Sequence, residues 1–186
     1  MSENEYQYSI NDYQFKQVEV RLRLEEAGTY YSGSPILSAD DAVQLMTNIL
    51  KDIDREWLCV INLDNRNCPI NFNVVSIGGI DQTLAPIQNI IKSAILCNAT
   101  RIMMLHTHPS GDTTPSRQDV VLTKRVYQAC MLMGIPLQDH VIIGCITGQT
   151  CSMLSAYPEC FPGRIEEDEV EKLLKRPERK KPDKCR

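Results

Sequence analysis

Leu105-His106-Thr107-His108-Pro109-Ser110-Gly111-Asp112-Thr113-Thr114-Pro115-Ser116-Arg117-Gln118-Asp119 joins a short apolar run to the start of a helix, and its reading decides the fold. The run before it, Arg101-Ile102-Met103-Met104-Leu105, is apolar and free of turn residues, which predicts a buried strand. Strand side chains repeat with period two, so His106 and His108 leave the strand end on the same side. Pro109-Ser110-Gly111-Asp112 predicts a turn, because proline fixes φ and glycine enters conformations closed to other residues. Ser116 is a good N-cap, and Val120, Val121, Leu122 and Val126 follow at helix-compatible spacing. Asp119 then sits in the first helical turn and faces back toward the histidines. Two neutral imidazoles and one carboxylate suit a tetrahedral zinc, and three protein ligands leave its fourth position open for water. That open position separates a catalytic site from a structural one.

A plainer reading exists for each half. Ser116-x-x-Asp119 is also a helix-capping signal, and a His-x-His pair alone is weak evidence for metal. Capping accounts for Ser116 and Asp119. It does not account for two of the chain's three histidines standing at the end of an apolar strand beside a Pro-Ser-Gly turn.

Upstream, Met1 to Gln14 is polar and reads as flexible. From Gln17 to Leu24, Val18, Val20, Leu22 and Leu24 share one face with charged residues on the other, which predicts a strand with one solvated side. Gly28 to Pro35 is a Gly/Ser/Tyr loop. Ser38 caps a helix whose apolar positions are Ala42, Val43, Leu45, Met46, Ile49 and Leu50, with Asp40 and Asp41 favourable in its first turn. Trp57 to Leu63 is a nearly continuous apolar strand, buried on both faces. Asp64-Asn65-Arg66-Asn67 has turn composition, and Pro69 to Ile77 predicts the returning strand of a hairpin, broken by Gly78-Gly79. Gln82 or Thr83 opens the next helix, with Ile87, Ile90, Ile91, Ala94, Ile95 and Leu96 as its apolar face.

Downstream, Gly134 caps the helix begun at Ser116, Pro136 forbids its continuation, and Cys130 with Met131 to Met133 reads as helix core. Val141 to Gly144 predicts a buried strand, with Thr150 to Leu154 pairing across Gly148. Beyond Pro158 and Pro162 the core is finished, Glu166 to Lys175 predicts a surface helix, and the Lys/Arg/Pro run to Arg186 predicts disorder. Strands and helices interleave around one antiparallel hairpin, so an α/β domain with a mixed sheet covered by helices is expected. The expected divisions are an N-terminal extension with one strand over 1–37, the domain over 38–157, and a charged, flexible tail over 158–186.

At 186 residues the chain holds one ordinary domain with a proper core, and 42% apolar with 24% charged residues places it among globular proteins. No run approaches a membrane span and the polar, acidic start lacks an apolar signal segment, so a cytoplasmic protein without membrane contact is expected. None of the eight cysteines shows Cys-x-x-Cys spacing, which disfavours a thiolate zinc site and favours reduced thiols. Cys59, Cys97 and Cys130 fall within apolar patterns as small hydrophobes. From Arg164 to Arg186, nine basic residues face seven acidic ones, so of the net charge of −4 the remainder carries −6. An acidic body argues against a broad nucleic-acid footprint, leaving only the basic C-terminus to supply one.

Hydrolysis assisted by a metal needs a general base that is not itself a ligand. Glu56 is the candidate, because it heads a buried strand of the sheet that would also hold the His106 strand. Alone, it reads no differently from a surface carboxylate. Together, His106-x-His108, seven residues, Ser116, two residues and Asp119, preceded by a Glu at a strand start, resemble the JAMM motif of the JAB/MPN metalloprotease family. The fuller pattern adds His108-Pro109-Ser110-Gly111-Asp112, Pro115-Ser116-Arg117-x-Asp119 and Asp139-His140-Val141-Ile142-Ile143-Gly144. It is similar to the RadC-like branch, over about Asp40 to Leu154.

The resemblance implies a JAB/MPN mixed sheet flanked by helices, with cytidine-deaminase-like layering. It implies that His106, His108 and Asp119 bind zinc, that Glu56 is the acid/base, and that Ser116 stabilises a tetrahedral intermediate. A hydroxyl beside the metal can donate to a developing oxyanion. Thr107 stands where the branch usually has Asn, which bears on substrate hydrogen bonding. Gln88-Asn89 replaces a usual Arg-Glu pair, which bears on packing. The helix-hairpin-helix segment often ahead of such domains is absent from this sequence, weakening a DNA-directed role. His140, beside a buried strand, is read as a hydrogen-bonded structural group.

The expected protein is a zinc metallohydrolase acting on a peptide or protein substrate at a peptide or isopeptide bond. The alternative is a DNA-repair or mobile-element accessory protein acting through DNA, reached by the basic tail, or through a protein partner. A zinc nucleobase deaminase is excluded by the missing Pro-Cys-x-x-Cys pair.

Overall fold

The apolar runs pair as strands and the amphipathic runs cover them. In chain order the elements are α1 (Ala39–Leu50), β1 (Trp57–Leu63), β2 (Pro69–Ile77), α2 (Ile87–Leu96), β3 (Arg101–His108), α3 (Arg117–Met133), β4 (Leu137–Gly144), β5 (Thr150–Ser152), α4 (Met153–Ala156) and a 3₁₀ turn, Pro158–Cys160. The structure is a computed structural model and describes residues 24–25, 27–28, 30, 32–50, 53, 55–78 and 86–163. The strand expected over Gln17 to Leu24, the helix over Glu166 to Lys175 and the basic tail lie outside the described residues, Leu24 excepted.

The five strands form one mixed sheet in the order β2-β1-β3-β4-β5. The neighbours pair antiparallel except β3 and β4, which run parallel with His106 opposite Ile142 and His108 opposite Gly144. A parallel pair needs a crossover, and α3 supplies it. That connection carries the chain from the C-terminal end of β3 directly into the α3 N-terminus. The expected α/β class with a mixed sheet and covering helices is therefore the observed one.

Each face of the sheet is a separate apolar layer. Leu58, Val60, Ile102 and Met104 pack with Ile90, Ala94, Leu122 and Val126 of α2 and α3. The alternate residues Cys59, Ile61, Leu63, Met103 and Leu105 pack with Ala42, Met46 and Leu50 of α1. Met104 is fully buried, and truncating such a side chain to Ala typically costs about 2–5 kcal/mol. On β3 the positions 102 and 104 lie on the α3 side, so period two sends His106 and His108 to that side as well.

Local signals set the helix ends. In α1 the Ser38 hydroxyl accepts the Asp41 N–H at 3.2 Å while Asp41 Oδ2 accepts the Ser38 N–H at 2.9 Å. Gly134 ends α3 in the left-handed region at φ 68, where a side chain is disfavoured. Ile36 is buried and donates its N–H to Asn67 O at 2.9 Å, so it belongs with the packed body.

Several expectations need correction. α2 begins at Ile87 after Pro86, which is extended at ψ 136 and lacks an N–H to leave unsatisfied; Gln82 and Thr83, expected to open it, lie outside the described residues. Ile95 lies on the exposed side of α2. Leu132 and Met133 are exposed at the end of α3, because no element among the described residues packs over that last turn, whereas Cys130 is buried. β4 begins at Leu137, four residues before the apolar run. β5 ends at Ser152, where its side chain accepts the Ser155 N–H and starts α4. The core continues past Pro158, with Cys160 fully buried and the Phe161 ring against Tyr127 at 5.4 Å. Among the described residues no helix is long and apolar enough to cross a membrane.

Candidate metal centre

β1 and β3 pair with Leu58 opposite His106, so Glu56, two residues ahead of Leu58, stands beside the histidine end of β3. Its Oε2 lies 4.0 Å from His106 Nε2. The crossover brings Asp119 to the same end: its Oδ1 is 3.0 Å from His106 Nδ1 and its Oδ2 3.8 Å from His108 Nε2. One ligating atom from each of His106, His108 and Asp119 falls within 4.8 Å of the others. His106 and Asp119 are buried, while the Glu56 side chain is 35% exposed.

The donor set fits a cation. His106 Nδ1, His106 Nε2 and Asp119 Oδ1 are all buried without a hydrogen-bond partner. The 3.0 Å approach of His106 Nδ1 to Asp119 Oδ1 thus falls outside hydrogen-bond geometry. Leaving such an atom unsatisfied costs about 1–3 kcal/mol, and a shared cation would satisfy Asp119 Oδ1 together with the one His106 ring nitrogen that carries a lone pair. His108 shows which nitrogen it offers. Its Nδ1 lies 2.6 Å from the Asp112 carbonyl, and a carbonyl only accepts, so Nδ1 holds the proton and Nε2 presents its lone pair toward Asp119.

Capping and ligation are compatible, because they use different atoms. Asp119 Oδ2 accepts the Ser116 N–H at 2.7 Å and Ser116 Oγ accepts the Asp119 N–H at 3.2 Å, a reciprocal capping box. Oδ1 takes no part in it. Burial alone would raise the Asp119 carboxyl, but the His106 ring and the Ser116 groups outweigh it and hold the carboxyl well below the usual carboxylate range. Ser116 is exposed, and accepting one bond leaves its O–H available to donate.

Thr107 is turned away from any substrate. It is 1% exposed, its Oγ1 accepts the Trp57 N–H at 2.8 Å, and its O–H donates to the Arg55 carbonyl at 3.2 Å. The expected bearing on substrate hydrogen bonding is corrected accordingly: the hydroxyl is consumed by the two peptide groups that flank Glu56. On the other side, Glu56 O accepts the Gly78 N–H at 2.7 Å. Gln88 is exposed, so its departure from the usual pair does not alter the core.

The loop after His108 is tied to the β4–β5 turn. The Thr147 hydroxyl donates to Gly111 O at 2.9 Å, and the Cys145 N–H to His108 O at 3.0 Å. Gly144 is required here, since a Cβ would lie 2.5 Å from Gly111 O and 2.6 Å from Thr147 Oγ1. A groove of about 510 Å³ runs between this loop and the edge of the sheet, lined by Thr113, Thr114, Pro115, Thr150, Ser152 and Tyr157. It adjoins Ser116 but does not itself include the two histidines or Asp119.

His140 is fully buried on β4, with its ring stacked over His106 at 6.1 Å and 16°. Burial pushes its pKa down to about 3, so the ring is neutral. Its Nδ1 lies 2.7 Å from Thr123 Oγ1, a buried partner that sequence reasoning missed. The available signal was the spacing of Thr123 four residues after Asp119, on the same side of α3.

Paired histidines at the C-terminal end of a sheet strand, facing an aspartate on the crossover helix, define a JAB-type domain. The chain belongs to the RadC-like JAB domain family, whose family model matches residues 36–157. It is similar to the UPF0758 protein TTE0897 of Caldanaerobacter subterraneus subsp. tengcongensis, at 36% identity over 67% of this chain and 52% of that protein. A UPF0758 protein of Protochlamydia amoebophila is 41% identical over 55% of this chain and 45% of its own length. One of Methanosarcina acetivorans is 35% identical over 59% and 48% respectively. The chain thus spans about half the length of the curated relatives it matches.

Proposed function

We propose that this protein is a zinc-dependent hydrolase that cleaves a peptide or isopeptide bond in a peptide or protein substrate. The observation that carries the reading is the Glu56 carboxylate, 4.0 Å from His106 yet outside the set of His106, His108 and Asp119. A base placed beside a ligand set, rather than in it, is what hydrolysis by water demands. Zinc held by those three residues would lower the pKa of a water to about 7 and polarise the substrate carbonyl.

Glu56 removes a proton from the attacking water at its carboxylate. The water oxygen bonds to the carbonyl carbon, the C–N bond then breaks, and Glu56 returns the proton to the leaving nitrogen. Ser116 O–H donates to the carbonyl oxygen as charge develops there. Thr107 and Gly78 fix the backbone of Glu56 from both sides, so the carboxylate need not be ordered at the moment of reaction. The groove beside Thr113 to Pro115 would take the substrate chain next to Ser116.

The test is metal analysis of the purified full chain, followed by an activity screen over peptide, isopeptide and nucleic-acid substrates with and without chelator. Chelator-sensitive cleavage of an amide bond supports the reading. Metal-independent cleavage, or cleavage confined to nucleic acid, overturns it.

A further inference from the structure

His140 is the one histidine that the proposed chemistry does not use. It lies on β4, next to β3 in parallel register, with Met104 opposite His140 and His106 opposite Ile142. Thr123 Oγ1 stands 2.6 Å from the Asp119 carbonyl and 2.7 Å from His140 Nδ1. A hydroxyl has one proton and a carbonyl has none to give. The Thr123 O–H therefore donates to Asp119 O, and His140 Nδ1–H donates to the Thr123 oxygen. This fixes the tautomer: Nε2 carries the lone pair, and it is buried with no hydrogen-bond partner.

A residue kept only to fill the core would be cheaper as an apolar ring, since an unsatisfied buried acceptor costs about 1–3 kcal/mol. His140 instead reaches two of the three ligating residues at once. It is linked to the Asp119 backbone carbonyl through Thr123, and its ring lies near-parallel to that of His106 with the centroids 6.1 Å apart. The link also crosses from sheet to helix, joining β4 to the first turns of α3.

We propose that His140 is a positioning residue for the metal centre, which through the Thr123 hydroxyl locks the Asp119 turn of α3 against the strand that carries His106. The inference rests on the metal reading given above. Groups that orient ligands from behind typically change metal affinity by about 10–100-fold when removed.

The experiment is a zinc titration of the full chain against a chromophoric chelator, with the melting temperature of the metal-free protein recorded in parallel. Thr123→Val keeps size and removes the hydroxyl, and zinc affinity should fall about 10–100-fold. Thr123→Ser restores the hydroxyl and should restore the affinity. His140→Phe keeps the ring over His106 but removes the donor, and should weaken zinc as Thr123→Val does. The double variant should be no weaker than either single one, because both break one link. If Thr123→Val does not fold, His140→Phe decides by the same measure. A lowered melting temperature with unchanged zinc affinity would reduce the link to glue between α3 and β4 and overturn the inference alone. An unsubstituted chain that binds no zinc would overturn the metal reading itself.

Discussion

Thr107 holds Glu56 by its backbone, accepting the N–H of the following residue at 2.8 Å and donating to the carbonyl of the preceding one at 3.2 Å. A threonine side chain here extends the β1–β3 ladder beyond its last paired residues, Leu58 and His106. Thr107→Val preserves shape and deletes both bonds, so the Glu56 backbone is released from one side. Metal content should be unchanged, while kcat falls by up to about 100-fold, the scale of misplacing a catalytic group by an ångström. Thr107→Ser should recover the rate. Equal rates for the Val and Ser variants on a substrate returned by the screen would refute this.

Purified protein should carry one divalent metal per chain, since three side chains converge on one point. Asp119→Ala should lose most of it, because a three-ligand site cannot spare one. Elemental analysis checks both statements. Full retention in the His106→Ala, His108→Ala double variant would remove the site from consideration.

Glu56→Gln keeps size and removes basicity. Folding and metal content should survive, and turnover should drop about 100 to 10,000-fold, the usual contribution of a general acid/base. Loss of metal in this variant would make Glu56 a ligand. Ser116→Ala should cost a few kcal/mol at most in the barrier, about the worth of one oxyanion donor. Its capping loss of about 1 kcal/mol is read separately from thermal melts.

At Gly144, an added methyl group would meet Gly111 O and Thr147 Oγ1 well inside contact distance. Gly144→Ala should therefore push the 108–112 loop outward and destabilise the protein by about 1–3 kcal/mol, as overpacking does. Because Asp112 orients His108, zinc affinity should fall as well. Unaltered affinity at lowered stability would show that the loop tolerates displacement without disturbing His108.

Burial pushes the Cys59 and Cys130 thiols up to about 12. A raised thiol pKa means less thiolate, so at pH 8 the reactive fraction is on the order of 10⁻⁴. Native alkylation followed by mass mapping should leave these two unmodified after the half-exposed Cys68 and Cys97 have reacted. Prompt labelling of Cys59 would contradict its place beneath α1.

What the sequence disclosed was whatever had its cause nearby. β1 and β2 have their expected bounds because Asp64 Oδ1, accepting the Arg66 and Cys68 N–H groups at 2.8 Å each, makes the turn by itself. α3 likewise ends where Ser116 and Gly134 dictate. The first half of β4 was invisible because Gln138, Asp139 and His140 are polar. Asp139 is nonetheless buried, satisfied by the Ser152 hydroxyl at 2.6 Å and the Leu154 N–H at 2.9 Å, partners that no local pattern announces. The gathering of His106, His108 and Asp119 was legible from one continuous stretch. Glu56 was a candidate from its place at the head of β1, but only the family resemblance set it apart from a surface carboxylate, since the β1–β3 register that brings it near His106 joins residues far apart in sequence.

That difference in range has a consequence for how the molecule assembles. The two histidines and Asp119 belong to one strand, loop and helix turn, whereas Thr107 and Trp57, whose hydrogen bond anchors the Glu56 backbone, are 50 positions apart. Closing the shorter span costs less chain entropy. On the function proposed above, the residues of the metal set gather at a lower entropic cost than the contacts that anchor Glu56, so metal capture would not require the base to be in place.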